Sequence, residues 1–81
     1  MAGDKLKDLI AYIASSLVDD PDAVEVNVVE EDRAVVLELT VAPDDLGKVI
    51  GKEGRTARAM RTLLAATSAR LRKRAILDIL E

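Results

Sequence analysis

The residues best suited to chemistry lie in a short glycine loop near the middle of the 81-residue chain. Gly51 and Gly54 stand three positions apart, accompanied by Lys52 and Arg55. Glycines let a backbone turn sharply and bring its N–H groups close to a ligand. The positive end of a following helix would add to the attraction of the two cations for phosphate. The segment therefore predicts a binding site for an extended phosphodiester chain.

Two better-known phosphate-binding motifs do not fit this segment. A P-loop needs four residues between its first glycine and a Gly-Lys-Ser/Thr run. Only three residues separate Gly47 from Gly51, and neither serine nor threonine follows Lys52. A dinucleotide-binding fingerprint needs a preceding parallel strand and Gly-x-Gly spacing, and the sequence predicts neither of these.

Catalytic side chains are scarce in the rest of the chain. Histidine and cysteine are absent, which removes the usual neutral-pH proton shuttle, thiolate chemistry and cysteine-bound metals. The carboxylates of Asp44 and Asp45 are typical of a helix start, and the acidic run 19–22 lacks the ligand spacing of a calcium loop. Ser15 and Ser16 have no histidine to activate them, although a lysine base is chemically possible. The sequence predicts a protein that is not an enzyme and uses no cofactor, metal or small-molecule substrate.

The charges are distributed very unevenly along the chain. The formal net charge is −3, from 15 acids and 12 bases, which by itself argues mildly against a nucleic-acid partner. Residues 1–46 carry twelve of the acids and three bases, whereas residues 47–74 carry nine bases and one acid. This asymmetry indicates either a polyanion-binding face around the glycine loop or two solvated faces that attract each other within the fold. The basic residues within 70–74 either extend that face or only make a turn soluble. We favour the soluble turn, because the sequence does not fix the distance of these residues from the loop.

Hydrophobic spacing predicts the elements that position this loop. Helices are predicted over 4–18, just before Gly51, and over 55–69, and strands over 24–28, 34–41 and 73–80, the first two strands forming a hairpin. The inner face of the helix over 55–69 is assigned to Ala57, Met60, Leu63, Leu64 and Thr67. This order of elements predicts an α+β fold in which the helices cover one face of a sheet.

Several aliphatic side chains do not fit a single buried sheet face. If Leu77 faces the helices, Ile76 and Leu80 point to the other side, and Val29 and Val36 pose the same problem in the first two strands. Apolar side chains on an exposed face are typical of a self-association or partner surface. Isolated exposed aliphatics are also common.

The segment around the glycine loop resembles the KH domain. This RNA-binding module is marked by an aliphatic pair, a Gly-x-x-Gly loop and a helix. Val49 and Ile50 form the pair, and residues 51–54 form the loop. The chain is most similar to the small bacterial KhpA family. The resemblance implies a single type II KH domain over residues 1–81, with the order α-β-β-α-α-β and three helices covering one face of a three-stranded sheet.

The resemblance also implies which residues contact RNA. In KH domains the loop holds the backbone of about four single-stranded nucleotides beside an apolar groove. The clamp would be Gly51, Lys52, Glu53 and Gly54, the groove lining Val49, Ile50 and Ala57, and the basic residues nearby Lys48, Arg55 and Arg58. The carboxylate of Glu53 would repel phosphate unless it points away or pairs with an arginine. Ala57 replaces the larger aliphatic residue of many KH domains, which predicts a groove that is shallower or packed differently.

The function implied by the resemblance is binding of single-stranded RNA in the cytoplasm with little sequence preference. It includes a role as an RNA chaperone or post-transcriptional regulator and an influence on cell shape and cell-wall homeostasis. The implied partners are a second copy of the chain and a larger KhpB-type KH protein, and no membrane segment is predicted. Phosphate contacts do not distinguish RNA from DNA. The alternative is a KH-fold interaction or dimerisation module with little intrinsic RNA affinity, which Glu53 and the exposed sheet aliphatics favour.

Overall fold

Three helices and three strands follow one another in the order that the sequence predicts. The computed structural model describes residues 2–81. Its helices are α1 (Ala2–Leu17), α2 (Leu46–Ile50) and α3 (Arg55–Ser68), and its strands are β1 (Glu25–Glu30), β2 (Ala34–Thr40) and β3 (Arg74–Ile79). The type II KH order and the α+β class are confirmed.

The sheet has the order β1-β2-β3, with β1 antiparallel to β2 and β2 parallel to β3. The predicted hairpin is confirmed, although β1 begins and ends later than its apolar residues suggest. Glu25 pairs with Thr40 and Glu30 with Val35, so backbone pairing sets the bounds of β1 rather than side-chain polarity. The two helices between β2 and β3 carry the chain back, so β3 can pair in parallel.

The core lies between the helices and one face of the sheet. Its fully buried side chains come from α1, β2, α2 and α3: Leu6, Ile10, Val35, Leu37, Leu39, Val49, Met60 and Leu64. Close packing of these side chains against β2 fixes α2 and α3, which flank the glycine loop, relative to the sheet.

Two of the five assignments to the inner face of α3 are wrong. Leu63 is 48% exposed and Thr67 is also exposed, whereas Ser68 is buried. The hydroxyl of Thr67 donates to the Leu63 carbonyl at 2.8 Å, so it is satisfied on the solvent side. The buried stripe of α3 is narrower than predicted because only one edge of the helix contacts the sheet and α1.

The opposite face of the sheet carries a row of three aliphatic side chains. Val29 pairs with Val36, and Val36 pairs with Ile76, so the three lie side by side across all three strands. Val29 is 40% exposed and Ile76 37% exposed. The predicted exposure is confirmed for Val29 and Ile76, whereas Val36 on the central strand is half-buried.

Candidate nucleic-acid interface

The glycine loop is shaped by three residues with positive φ. Gly51 ends α2 at φ 78°, Glu53 follows at φ 57° and Gly54 at φ 73°. The Gly54 N–H donates to the Gly51 carbonyl at 3.1 Å, which closes the turn. A Cβ at Gly51 would lie 2.8 Å from the Cβ of Thr56, whereas one at Gly54 would meet nothing within 4 Å. Gly51 therefore needs glycine for both its backbone angle and its space, and Gly54 for its angle alone.

The loop leads directly into the N-terminus of α3. No side chain caps this helix start, where Gly54 adopts a left-handed conformation. The first N–H groups of a helix have no partner within it, and the helix dipole makes this end positive. Lys52 lies within the turn and Arg55 directly after it, and both side chains are exposed. The arrangement offers backbone donors and two cations to an anion at one place.

The carboxylate of Glu53 lies near an arginine. Its Oε2 atom is 3.5 Å from Nη2 of Arg55, and both side chains are largely exposed, so this ion pair is weak. The guanidinium of Arg58 donates to the Glu53 carbonyl at 3.2 Å. Arg58 therefore joins the loop backbone to α3, while the Glu53 carboxylate makes only a weak ion pair with Arg55.

A groove of about 380 Å³ opens beside the loop, between α3 and the end of β3. Its lining consists of Ile50, Gly54, Ala57, Arg58, Arg61, Asp78, Ile79 and Glu81. Ile50, Ala57 and Arg58 thus lie where the resemblance implies. Val49 does not, because it has no exposed surface and packs in the core. The prediction that Val49 lines the groove is wrong, since it supports the groove from beneath.

Four lining residues were missed by sequence reasoning. Arg61 follows Arg58 by one helical turn, a spacing that could have identified it, and its guanidinium donates to the Leu77 carbonyl at 3.4 Å. Ile79, Asp78 and Glu81 reach the groove only because β3 pairs in parallel with β2. The last two place carboxylates opposite the arginines of α3.

The ammonium group of Lys48 lies in a cluster of acidic side chains. It is 2.9 Å from Oδ2 of Asp19 and 3.1 Å from Oδ1 of Asp45. Asp45 is only 2% exposed, and its Oδ2 accepts the N–H of Asp20 at 3.0 Å. Asp45 lies directly before α2, at the helix start that the sequence predicts, but its carboxylate makes no cap hydrogen bond to α2. It instead joins α2 to the chain after α1.

The pKa values of this cluster reflect the same contacts. Burial alone would raise the pKa of Asp45, but hydrogen bonds from the Lys48 ammonium and the Asp20 N–H outweigh it and hold the pKa below the usual 3.8. Hydrogen bonds to Asp19 and Asp45 raise the pKa of Lys48 above 10.5. The buried carboxylate of Asp45 and the exposed ammonium of Lys48 are therefore both charged at neutral pH.

Comparison with known proteins agrees with the fold. The family model described as "KhpA/KhpB, KH domain" matches residues 7–79. The RNA-binding protein KhpA of Caldanaerobacter subterraneus subsp. tengcongensis is 51% identical over 73 residues, which cover 90% of this chain and 97% of that protein. The proteins of the same name from Aquifex aeolicus (51% over 76 residues, 94% and 96% covered) and Chlamydia trachomatis (45% over 76 residues, 94% and 97% covered) are also similar. Since both the family model and these relatives span nearly the whole chain, it belongs to the KhpA/KhpB family of KH domains.

Proposed function

We propose that this chain binds single-stranded RNA through the Gly-x-x-Gly loop 51–54. The observation that carries the proposal is the turn at Gly51, whose backbone angle and contact with Thr56 leave no space for a side chain. The turn opens beside a groove lined by two arginines. The relatives named above are RNA-binding proteins by name, which supports the same conclusion.

In the proposed complex the phosphates contact the loop and the bases enter the groove. The Gly51 and Gly54 N–H groups donate to the carbonyls of Gly47 and Gly51. The other loop N–H groups and the side chains of Lys52 and Arg55 provide the donors for phosphate. Ile50, Ala57 and Ile79 provide apolar contacts for the bases. Tyr12, the only aromatic residue, lies on α1 outside this lining, so no base stacks on an aromatic ring in the groove. Aliphatic contacts discriminate poorly among bases, and low sequence preference follows.

Carboxylates at the site moderate the affinity. Glu53 is in the clamp, and Asp78 and Glu81 line the far wall of the groove. Each repels a phosphate that comes close, so binding depends on phosphates that stay near the α3 side. Lys48 contributes indirectly in this proposal, since its ammonium is held by the Asp19 and Asp45 carboxylates.

The experiment that tests the proposal compares Lys52→Asp with Lys5→Asp. Both variants change the net charge equally, but Lys5 lies near the start of α1 and outside the groove lining. Fluorescence anisotropy with a labelled single-stranded RNA at low salt should show at least about tenfold weaker binding for Lys52→Asp. Lys5→Asp should bind as the wild type does, and circular dichroism should show both variants folded. Equal affinities of the two variants contradict the clamp, and the same oligonucleotide as DNA measures the contribution of the 2′-hydroxyl.

The cellular role that we propose follows from family membership. It is that of an RNA chaperone or post-transcriptional regulator in the cytoplasm, with effects on cell shape and cell-wall homeostasis. A groove without a stacking platform suits transient contact with many RNAs better than tight contact with one. Among residues 2–81, no helix has the length and apolar character needed to cross a membrane.

The aliphatic row on the outer sheet face favours a second candidate function, that of an interaction module. Val29, Val36 and Ile76 lie side by side with no helix over them. We propose that this face pairs with a second copy of the chain or with a larger KhpB-type KH protein. Sedimentation of the purified chain, alone and with such a partner, tests the pairing. Partner binding that survives nuclease, together with no RNA binding at low salt, would favour this role over the first.

A further inference from the structure

A second group of basic side chains lies at the other end of α3 from the glycine loop. Arg70 and Arg72 belong to the turn that follows α3, and Arg74 begins β3. All three side chains are exposed. Within residues 2–81, no carboxylate lies within ion-pair distance of any of them. These three arginines are referred to below as the turn patch.

The acidic residues nearest to the turn patch are partly neutralised by other basic side chains. Glu30 lies 3.8 Å from the ammonium group of Lys73. The Arg74 N–H donates to the Arg33 carbonyl at 2.9 Å, which brings the hairpin turn with its acidic residues 31–32 close to the patch. Arg33 offsets part of that negative charge. The three guanidinium groups therefore remain available to a phosphate from solution.

One member of the turn patch occupies a backbone conformation that disfavours arginine. Arg72 has φ 57° and ψ 22° at the end of the turn. Glycine adopts this left-handed conformation freely, whereas a residue with a Cβ does so at a cost. A turn that only needed to be soluble would be more stable with glycine there. Such an outlier points to a use for the side chain.

The turn patch lies at the far end of the helix that borders the groove. At about 1.5 Å per residue, the 14 residues of α3 separate the loop from the patch by roughly 20 Å. Arg61 lies between them, near the middle of β3, where it contacts the Leu77 carbonyl. Cations thus occur at the start, the middle and the end of the α3–β3 pair.

We propose that the turn patch is a second phosphate-binding site, which holds the single-stranded RNA that leaves the groove. The protein would then contact a longer stretch of RNA than a KH loop alone, which holds about four nucleotides. This inference rests on the RNA binding proposed above for the loop. The sequence favoured a merely solubilising turn, but the position of the patch along α3, its unpaired guanidiniums and the conformation of Arg72 support the extended path.

The test uses two labelled RNAs, one of about four nucleotides and one about three times as long. The variant Arg70→Gln/Arg74→Gln is compared with Lys5→Gln/Lys7→Gln, which has the same net charge but changes exposed side chains of α1. The patch variant should bind the long RNA about tenfold more weakly, with a salt slope smaller by roughly 1.4, and the short RNA unchanged. The α1 variant should bind both RNAs as the wild type does.

Arg72→Gly separates a structural role from a binding role. Because it relieves the left-handed strain, it should melt at the same or a higher temperature than the wild type while binding the long RNA a few-fold more weakly. Equal affinity of the patch and α1 variants for the long RNA would overturn the inference, even if Lys52→Asp loses both RNAs and so supports the loop. Failure of the wild type to bind either RNA at low salt would instead remove the proposed function and the patch with it.

Discussion

The buried carboxylate of Asp45 lies 3.1 Å from the ammonium group of Lys48, three residues further along the chain. The second oxygen of Asp45 accepts the N–H of Asp20, and Asp19 contacts the same ammonium. The chain that follows α1 is thereby fastened to α2. Since Gly51 directly follows α2, this cluster fixes the direction from which the backbone enters the glycine loop.

Replacing Asp45 should destabilise the protein more than replacing its exposed neighbour. Asp45→Asn removes the charge that faces Lys48 and leaves the Asp20 N–H with a weaker acceptor. We expect a melting temperature lower by about 5–10 °C. Asp44→Asn is the matched control, because Asp44 is exposed and should melt within about 2 °C of the wild type. Equal melting of the two variants in thermal denaturation would show that the cluster does not hold α2.

The contribution of this cluster should depend on pH at both extremes. The folded pKa of Asp45 is depressed below 3.8, so its stabilisation is present above that value and is lost as the pH falls below it. The folded pKa of Lys48 is raised above 10.5, so its stabilisation is present below that value and is lost at higher pH. The difference in stability between wild type and Asp45→Asn should be constant between about pH 5 and 9 and shrink below about pH 4. Denaturant unfolding across this range measures it, and a difference that changes near neutrality would contradict the assignment.

Alanine should be tolerated very differently at the two clamp glycines. Both have positive φ, but only at Gly51 would the new Cβ collide with Thr56. We expect Gly51→Ala to cost about 3 kcal/mol or more and to abolish RNA binding, because the loop must rearrange. Gly54→Ala should cost only about 1 kcal/mol. Chemical denaturation and anisotropy measure the two effects.

Gly47→Ala provides the control for these glycine variants. Gly47 lies in α2 and has nothing within 4 Å of an added Cβ. Alanine favours the helix and restricts the unfolded chain, so stability should stay equal or rise by up to about 0.5 kcal/mol. If Gly51→Ala resembles Gly47→Ala in stability and affinity, the turn at Gly51 is not the constraint described.

The sequence was informative where the signal was local and silent where it depended on distant pairing. Glycine spacing and adjacent cations predicted the loop, and hydrophobic spacing predicted the order of helices and strands. The far wall of the groove was missed, because Asp78 and Ile79 reach it only through the parallel register of β3. The contact of the Asp45 carboxylate with the Asp20 N–H was missed as well, because the two residues lie 25 positions apart in sequence. Leu63 was assigned to the core on helical period alone, although α3 contacts its neighbours along a narrower edge.

Removing the charge of Glu53 should strengthen RNA binding. The carboxylate lies in the clamp and is only loosely paired with Arg55 at 3.5 Å. Glu53→Gln removes its repulsion of phosphate and releases Arg55, so affinity should rise about three- to tenfold at low salt. The gain should shrink as salt is added, since it is electrostatic. A lower affinity of Glu53→Gln would instead mean that the carboxylate contributes a contact to RNA.

Glu53→Gly adds a second comparison at the same position. Glu53 has φ 57°, and glycine at this position would relieve about 1 kcal/mol of left-handed strain in the folded state. Part of that gain is offset because glycine also increases the conformational entropy of the unfolded chain. This variant should therefore bind RNA more tightly than the wild type without losing stability. A clear loss of stability would show that Glu53 is held by contacts beyond its weak pair with Arg55.

A charge placed in the aliphatic row should break self-association without unfolding the chain. Ile76 is 37% exposed and lies beside Val36 on the outer sheet face, so Ile76→Lys costs little in the monomer but buries a charge in any interface across this face. Leu63→Lys is the control, since Leu63 is equally apolar and 48% exposed but lies on α3. Sedimentation equilibrium at micromolar concentrations should show wild type and Leu63→Lys as dimers and Ile76→Lys as a monomer with an unchanged circular dichroism spectrum. A monomeric wild type, or a dimer that survives Ile76→Lys, would remove this face from the interface.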